Sequence, residues 1–117
     1  MLQKRAFVKI VFLFAMLAYF IAAAQASSED ETAYVIAKQN ACLGCHAINK
    51  KIVGPSFLSV AEKYKSDLKA QVFLKNKITK GGSGSWGVVP MPANTKLSDA
   101  DLSLLASWVL RGAPNKN

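Results

Sequence analysis

One histidine and two cysteines are the only soft metal ligands apart from methionine in this chain of 117 residues, and no stretch alternates apolar and polar residues as a half-buried strand would. Internal repeats and low-complexity tracts are missing as well. Acidic residues are few, seven against fifteen basic ones. The basic excess does not form the clustered stripe that nucleic-acid binding needs, because the lysines are scattered singly from Lys38 to Lys116. Nucleic acid is therefore not expected as a partner, and acidic protein surfaces are the better counterpart.

The longest apolar run lies at the start. Lys4, Arg5 and Lys9 precede Ile10 to Ala24, and Ala24-Gln25-Ala26 has the small-x-small form of a cleavage site. Residues 1–26 read as a secretory signal peptide that is removed, and residues 27–117 as the mature domain. A retained anchor is the competing reading, but the run falls short of the roughly 20 apolar residues a spanning helix needs. No cysteine follows the cleavage position, so a lipid anchor is not expected. The mature piece is the size of one domain with a modest core. Its net charge falls from +8 to +5 when the three leader cations leave.

The mature chain reads as all-α. Acids after Ser28 suggest a helix from Asp30 to Ala41, Ser56 to Tyr64 suits a short helix, and Leu68 to Lys80 a third. Ser98-x-x-Asp101 opens a final helix with Leu102, Leu105, Ala106 and Val109 on one face, closing at Arg111, Gly112 and Pro114. Between them, Gly81 to Asn94 is too rich in glycine and proline for regular structure. It carries Trp86, Val88, Val89 and Met91, which are expected to be buried.

All three scarce residues fall within five positions, Cys42-Leu43-Gly44-Cys45-His46. C-x-x-C-H is the attachment signature of haem c: two thiols add across the vinyl groups, and the histidine is placed to bind iron. Gly44 would let the backbone lie near the macrocycle. A disulfide between Cys42 and Cys45 would close a very short loop and stabilise little, a redox pair wants a strand-helix context, and a zinc site would need a carboxylate or water as fourth ligand. With one haem attached, Met91 is the candidate sixth ligand. It is the sole methionine of the mature chain, flanked by Pro90 and Pro92. Core filling is its ordinary alternative.

With CLGCH, VGPSF and GSWGVVPMPAN, the chain resembles small bacterial class I cytochromes c, the short periplasmic type that donates electrons to nitrite reductase or a terminal oxidase. The resemblance implies four to five short helices wrapped around one covalently bound haem. It implies that Pro55 accepts a hydrogen bond from His46, that Asn94 donates toward the methionine sulfur, and that Trp86 bonds a haem propionate. Lys77 stands where the family has an arginine at a propionate, and Ala37 where it has an aromatic, with Tyr34 a turn earlier as substitute.

The function expected is a monomeric periplasmic one-electron carrier without a stable membrane anchor, fed by a membrane cytochrome complex. Leu74, Ile78, Phe57, Leu102 and Trp108 are expected to line or support the haem pocket. Leu43, Ile52, Val53, Val88 and Val89 are expected to form the exposed contact edge, with Lys50, Lys51 and Lys96 around it. Three alternatives compete: a haem-based sensor that loses its methionine ligand, a peroxidase-like enzyme using the same open position, and a subunit held in a larger respiratory complex.

Overall fold

In the computed structural model, the backbone of residues 2–115 and the side chains of residues 7–19 and 28–115 are described. Over these residues the chain forms four α-helices: α1 (Leu2–Gln39), α2 (Phe57–Tyr64), α3 (Ala70–Lys80) and α4 (Asp99–Leu110). One 3-10 turn, Cys42–Gly44, separates α1 from α2. Strand-like pairing among the described residues is limited to two isolated bridges, His46 with Lys51 and Gly82 with Met91. The all-α class agrees with the sequence.

The first helix departs from expectation. It does not begin at Asp30 but runs unbroken for 38 residues, and the acids meant to cap it lie inside it, where the Thr32 hydroxyl donates to the Ser28 carbonyl at 2.8 Å. No glycine or proline occurs before Gly44. Nothing therefore stops propagation, and each residue added to an existing helix gains a backbone hydrogen bond. The helix stops where Ala41 turns left-handed, at φ 59° and ψ 16°, while Nδ2 of Asn40 donates to the Ile36 carbonyl at 2.9 Å.

The shorter helices are set by local chemistry. Ser56 caps α2 by accepting from the Ser59 amide at 3.0 Å, and Ser98 caps α4 by accepting from the Asp101 amide at 3.1 Å. Helix α3 opens at Ala70, two residues later than expected. An Asx turn precedes it, with the Asp67 carboxylate accepting from the Lys69 amide at 2.8 Å.

Helices α1, α2 and α3 all pack on α4. Its Trp108 is completely buried, in one core cluster with Ala33 and Ala37 of α1, Phe57 and Val60 of α2 and Leu74 of α3. The indole nitrogen donates to the Pro114 carbonyl at 2.9 Å, so the one polar atom of this side chain is satisfied. Tyr34 meets Trp108 edge-on at 6.3 Å. Small Ala37 leaves this aromatic contact to Tyr34, and is itself fully buried. The apolar residues Phe7, Phe12 and Leu13 of α1 are exposed and stand outside the core cluster.

Candidate functional site

The 3-10 turn gathers the scarce residues. The Ala41 carbonyl accepts from the Gly44 amide at 3.1 Å, and the Cys42 carbonyl accepts from the amides of Cys45 at 3.2 Å and His46 at 2.9 Å. These bonds turn Cys42, Cys45 and His46 toward a cavity of about 280 Å³. Both thiols are free, so no disulfide joins them. Burial pushes the Cys42 thiol above its ordinary range, and the neighbouring Cys45 adds to this. Its sulfur lies 3.8 Å from the Asn40 carbonyl, to which the S–H donates.

The next segment is registered on the turn. Gly54 donates to the Cys45 carbonyl at 2.8 Å and Phe57 to that of Ala47 at 3.0 Å. This places the Pro55 carbonyl 2.7 Å from Nδ1 of His46. A carbonyl can only accept, so Nδ1 carries the hydrogen, and in the neutral ring Nε2 is then the nitrogen with the lone pair. The imidazole stacks on Phe57 at 5.3 Å and 16°, and Phe57 meets Trp108 edge-on at 5.3 Å. Gly54 completes the cradle. A Cβ there would run into the imidazole, 2.8 Å from Nδ1 and closer still to Cε1. Gly44, by contrast, has open space where a Cβ would stand.

The opposite wall comes from residues 81–94. Gly82 and Met91 exchange backbone hydrogen bonds at 2.9 and 3.0 Å, and the Asn94 amide donates to the Ile78 carbonyl at 2.9 Å. Gly81 permits this closure with φ 66°, where a Cβ would strike the Met91 carbonyl and stand 2.8 Å from the Ala93 nitrogen. Met91 is half-buried and lines the cavity, as does Trp86. The expectation that this loop's apolar side chains are buried fails for three of them: Trp86 is 43%, Val89 62% and Val88 90% exposed. The loop follows the cavity rim instead of the core.

Other expected residues divide. Phe57, Leu74, Ile78 and Trp108 line the cavity, and Leu102 is buried away from it. Val53 and Val89 reach the cavity mouth, with Ile52 and Val88 exposed nearby in sequence, whereas Leu43 packs half-buried on the core. Lys50, Lys51 and Lys96 are exposed, and Lys51 also lines the cavity. Lys77 lines the cavity too, its ammonium donating at 3.4 Å to the Gly81 carbonyl at the end of α3. Asn94 does not line the cavity; its Nδ2 donates to Oδ1 of Asn40 at 3.1 Å.

Three contributors escaped the sequence reading. Gly54 was visible only as half of a Gly-Pro turn, Asn40 only as a residue preceding the attachment signature. Lys63 carries no local signal. It reaches from α2 to the loop, donating to the Ser85 carbonyl at 2.6 Å with its ammonium 4.4 Å above the Trp86 ring.

Two free thiols and an imidazole with an available Nε2 on one wall, a thioether on the other, and a mostly apolar lining fit a flat iron macrocycle held by both faces. Comparison with known proteins agrees. The family described as Cytochrome c matches residues 31–112. Cytochrome c-552 of Nitrosomonas europaea is 45% identical over 75 residues, 64% of this chain and 73% of the relative. Cytochrome c-551 of Pseudomonas aeruginosa is 42% identical over 76 residues, 65% of this chain and 72% of the relative. The crystal structure of wild-type Nitrosomonas europaea cytochrome c552 superposes with a TM-score of 0.65 at 43% identity, covering 68% of this chain and 98% of that one.

Proposed function

The chain belongs to the cytochrome c family as a small class I member close to cytochromes c-551 and c-552, and from that membership we propose a periplasmic one-electron carrier with His46 and Met91 as its two iron ligands. It is an electron carrier and not an enzyme. A single haem c is attached through Cys42 and Cys45, and supplies the one-electron couple.

One observation carries the ligand assignment. Met91 lines the same cavity as Cys42, Cys45 and His46, although 45 residues separate it from the histidine. The remaining residues prepare these groups. Pro55 holds the His46 tautomer that leaves Nε2 basic, and Phe57 keeps the ring plane from turning. The Gly82 pairing holds Met91 at the cavity wall. His46 and Met91 would hold the iron between them and leave no position for a substrate, and a thioether with apolar surroundings would raise the reduction potential. Lys77 and Trp86 line the cavity where they suit the haem propionates, Lys77 as a point charge and Trp86 as an N–H donor. Asn94 is assigned the donor role toward the methionine sulfur, with one hydrogen of its Nδ2 directed to Asn40 and a second left for this bond.

Export follows from the leader. Residues 1–26 act as a signal cleaved after Ala26, a reading supported by the exposure of Phe7, Phe12 and Leu13 outside the core. Among the described residues, no helix is long and apolar enough to cross a membrane. The released protein, residues 27–117, is a monomer that takes electrons from a membrane cytochrome complex and delivers them to nitrite reductase or a terminal oxidase. Exposed Val53, Val88 and Val89 beside Lys50, Lys51 and Lys96 supply the contact edge.

The spectrum of exported holoprotein tests this. A sulfur-to-iron absorption near the red end in the ferric state, lost in Met91→Ala, and a reduced spectrum unmoved by carbon monoxide are expected. Carbon monoxide binding to the reduced parent protein would overturn the closed-site reading and favour a sensor or peroxidase.

A further inference from the structure

We propose that Asn40 is a positioning residue for the Met91 ligand, acting through Asn94. The inference rests on the reading of Met91 as an iron ligand. Asn40 follows α1 directly and precedes Cys42 by two residues, so it adjoins the attachment turn without itself lining the cavity. Asn94 lies three residues after Met91, at the end of the loop whose Met91 lines the cavity. Their side chains meet at 3.1 Å across 54 positions of sequence. Among the described residues, no other hydrogen bond joins residues 36–46 to residues 81–94.

Both amides are oriented by second bonds. Nδ2 of Asn40 donates to the Ile36 carbonyl at 2.9 Å, which turns its Oδ1 outward as an acceptor. Oδ1 of Asn94 accepts from the Lys96 amide at 3.1 Å, which turns its Nδ2 toward Asn40. Neither side chain can flip without losing both of its bonds. Both are half-buried, so water competes only in part. The pair is thus a strut between the end of α1 and the descending arm of the methionine loop. The ascending arm is held separately, through Gly82 and Lys63. The descending arm keeps its backbone bonds from Asn94 to Ile78 and from Met91 to Gly82, so removing the strut loosens the arm nearest the ligand without releasing it, and Met91 would leave the iron more readily.

The test uses ferric holoprotein and imidazole, which competes with the methionine sulfur for iron. Asn40→Ala is expected to bind imidazole about fivefold more tightly than the parent, the effect of one ordinary hydrogen bond. Asn40→Asp keeps an acceptor for Asn94 but loses the donor to the Ile36 carbonyl, so it is expected to fall between the parent and Asn40→Ala. The double variant Asn40→Ala/Asn94→Ala is expected to match Asn94→Ala alone, because both substitutions remove one bond. Asn40→Leu keeps the side-chain volume and lacks the oxygen, so it reports the same loss if the alanine variant fails to accumulate. Unchanged imidazole affinity in both Asn40→Ala and Asn40→Leu, or single effects that add fully in the double variant, would overturn the proposal. So would a fall in melting temperature with no change in affinity. If the parent shows no sulfur-to-iron absorption and Met91→Ala leaves its imidazole affinity unchanged, the ligand assignment falls and the strut with it. A parent with that absorption and silent Asn40 variants removes the strut alone.

Discussion

A single hydrogen atom and a single methyl group decide much of this site. The hydrogen is that of Gly54, whose replacement would drive a Cβ into the His46 imidazole. Gly54→Ala is therefore expected to cost holoprotein about 1–3 kcal/mol, the range for overpacking a filled site, measured by denaturant titration. Its absorption spectrum should also show a disturbed histidine ligand. The methyl group is that of Ala41, held at φ 59° to end α1 immediately before the attachment turn. Glycine adopts this conformation without the Cβ penalty, although it also loses more entropy on folding. Ala41→Gly should gain about 0.5 kcal/mol, raising the melting temperature by a few degrees.

Helix α4 organises the other elements. Its Trp108 stands behind Phe57, and Phe57 stands behind the imidazole, so one buried side chain supports both the core and the orientation of His46. Trp108→Ala should destabilise the holoprotein by about 3–5 kcal/mol. Circular dichroism melting checks the stability, and a change in the visible spectrum checks the link to His46. A substitution in the first turn of the same helix, about two turns away from Trp108, such as Asp101→Ala, should leave the visible spectrum alone. It would remove the hydrogen bond that the Ser98 hydroxyl donates at 2.8 Å to the Asp101 carboxylate. The cost is a fraction of the Trp108 effect, because exposed capping pairs contribute about 1 kcal/mol or less.

For the molecule entire, charge and export are the governing quantities. With residues 1–26 cleaved as proposed the net charge would be +5, and exposed Lys51 lines the cavity together with exposed Val53 and Val89. Electron transfer to an anionic redox partner should slow by about tenfold between low and high salt, as screening shortens the reach of these charges. Lys50→Glu/Lys51→Glu should flatten that dependence, measured by stopped-flow mixing at several ionic strengths. Mass spectrometry of the exported holoprotein should give a chain starting at Ser27 and carrying one haem.

Legibility followed the range of the interactions. The attachment turn, the cap residues Ser56 and Ser98, the stop at Gly81 and the all-α class rest on chemistry within a few positions, and all could be read along the chain. The start of α1 was misread because a capping pattern cannot end a helix that no breaker interrupts upstream. The exposure of Val88, the Lys63 contact with Trp86 and the Asn40 to Asn94 bond join residues tens of positions apart. Composition held the parts of a haem pocket, since ligand identity is a property of residues; which side chains steady those ligands depends on distance through space, and that came only with the folded chain.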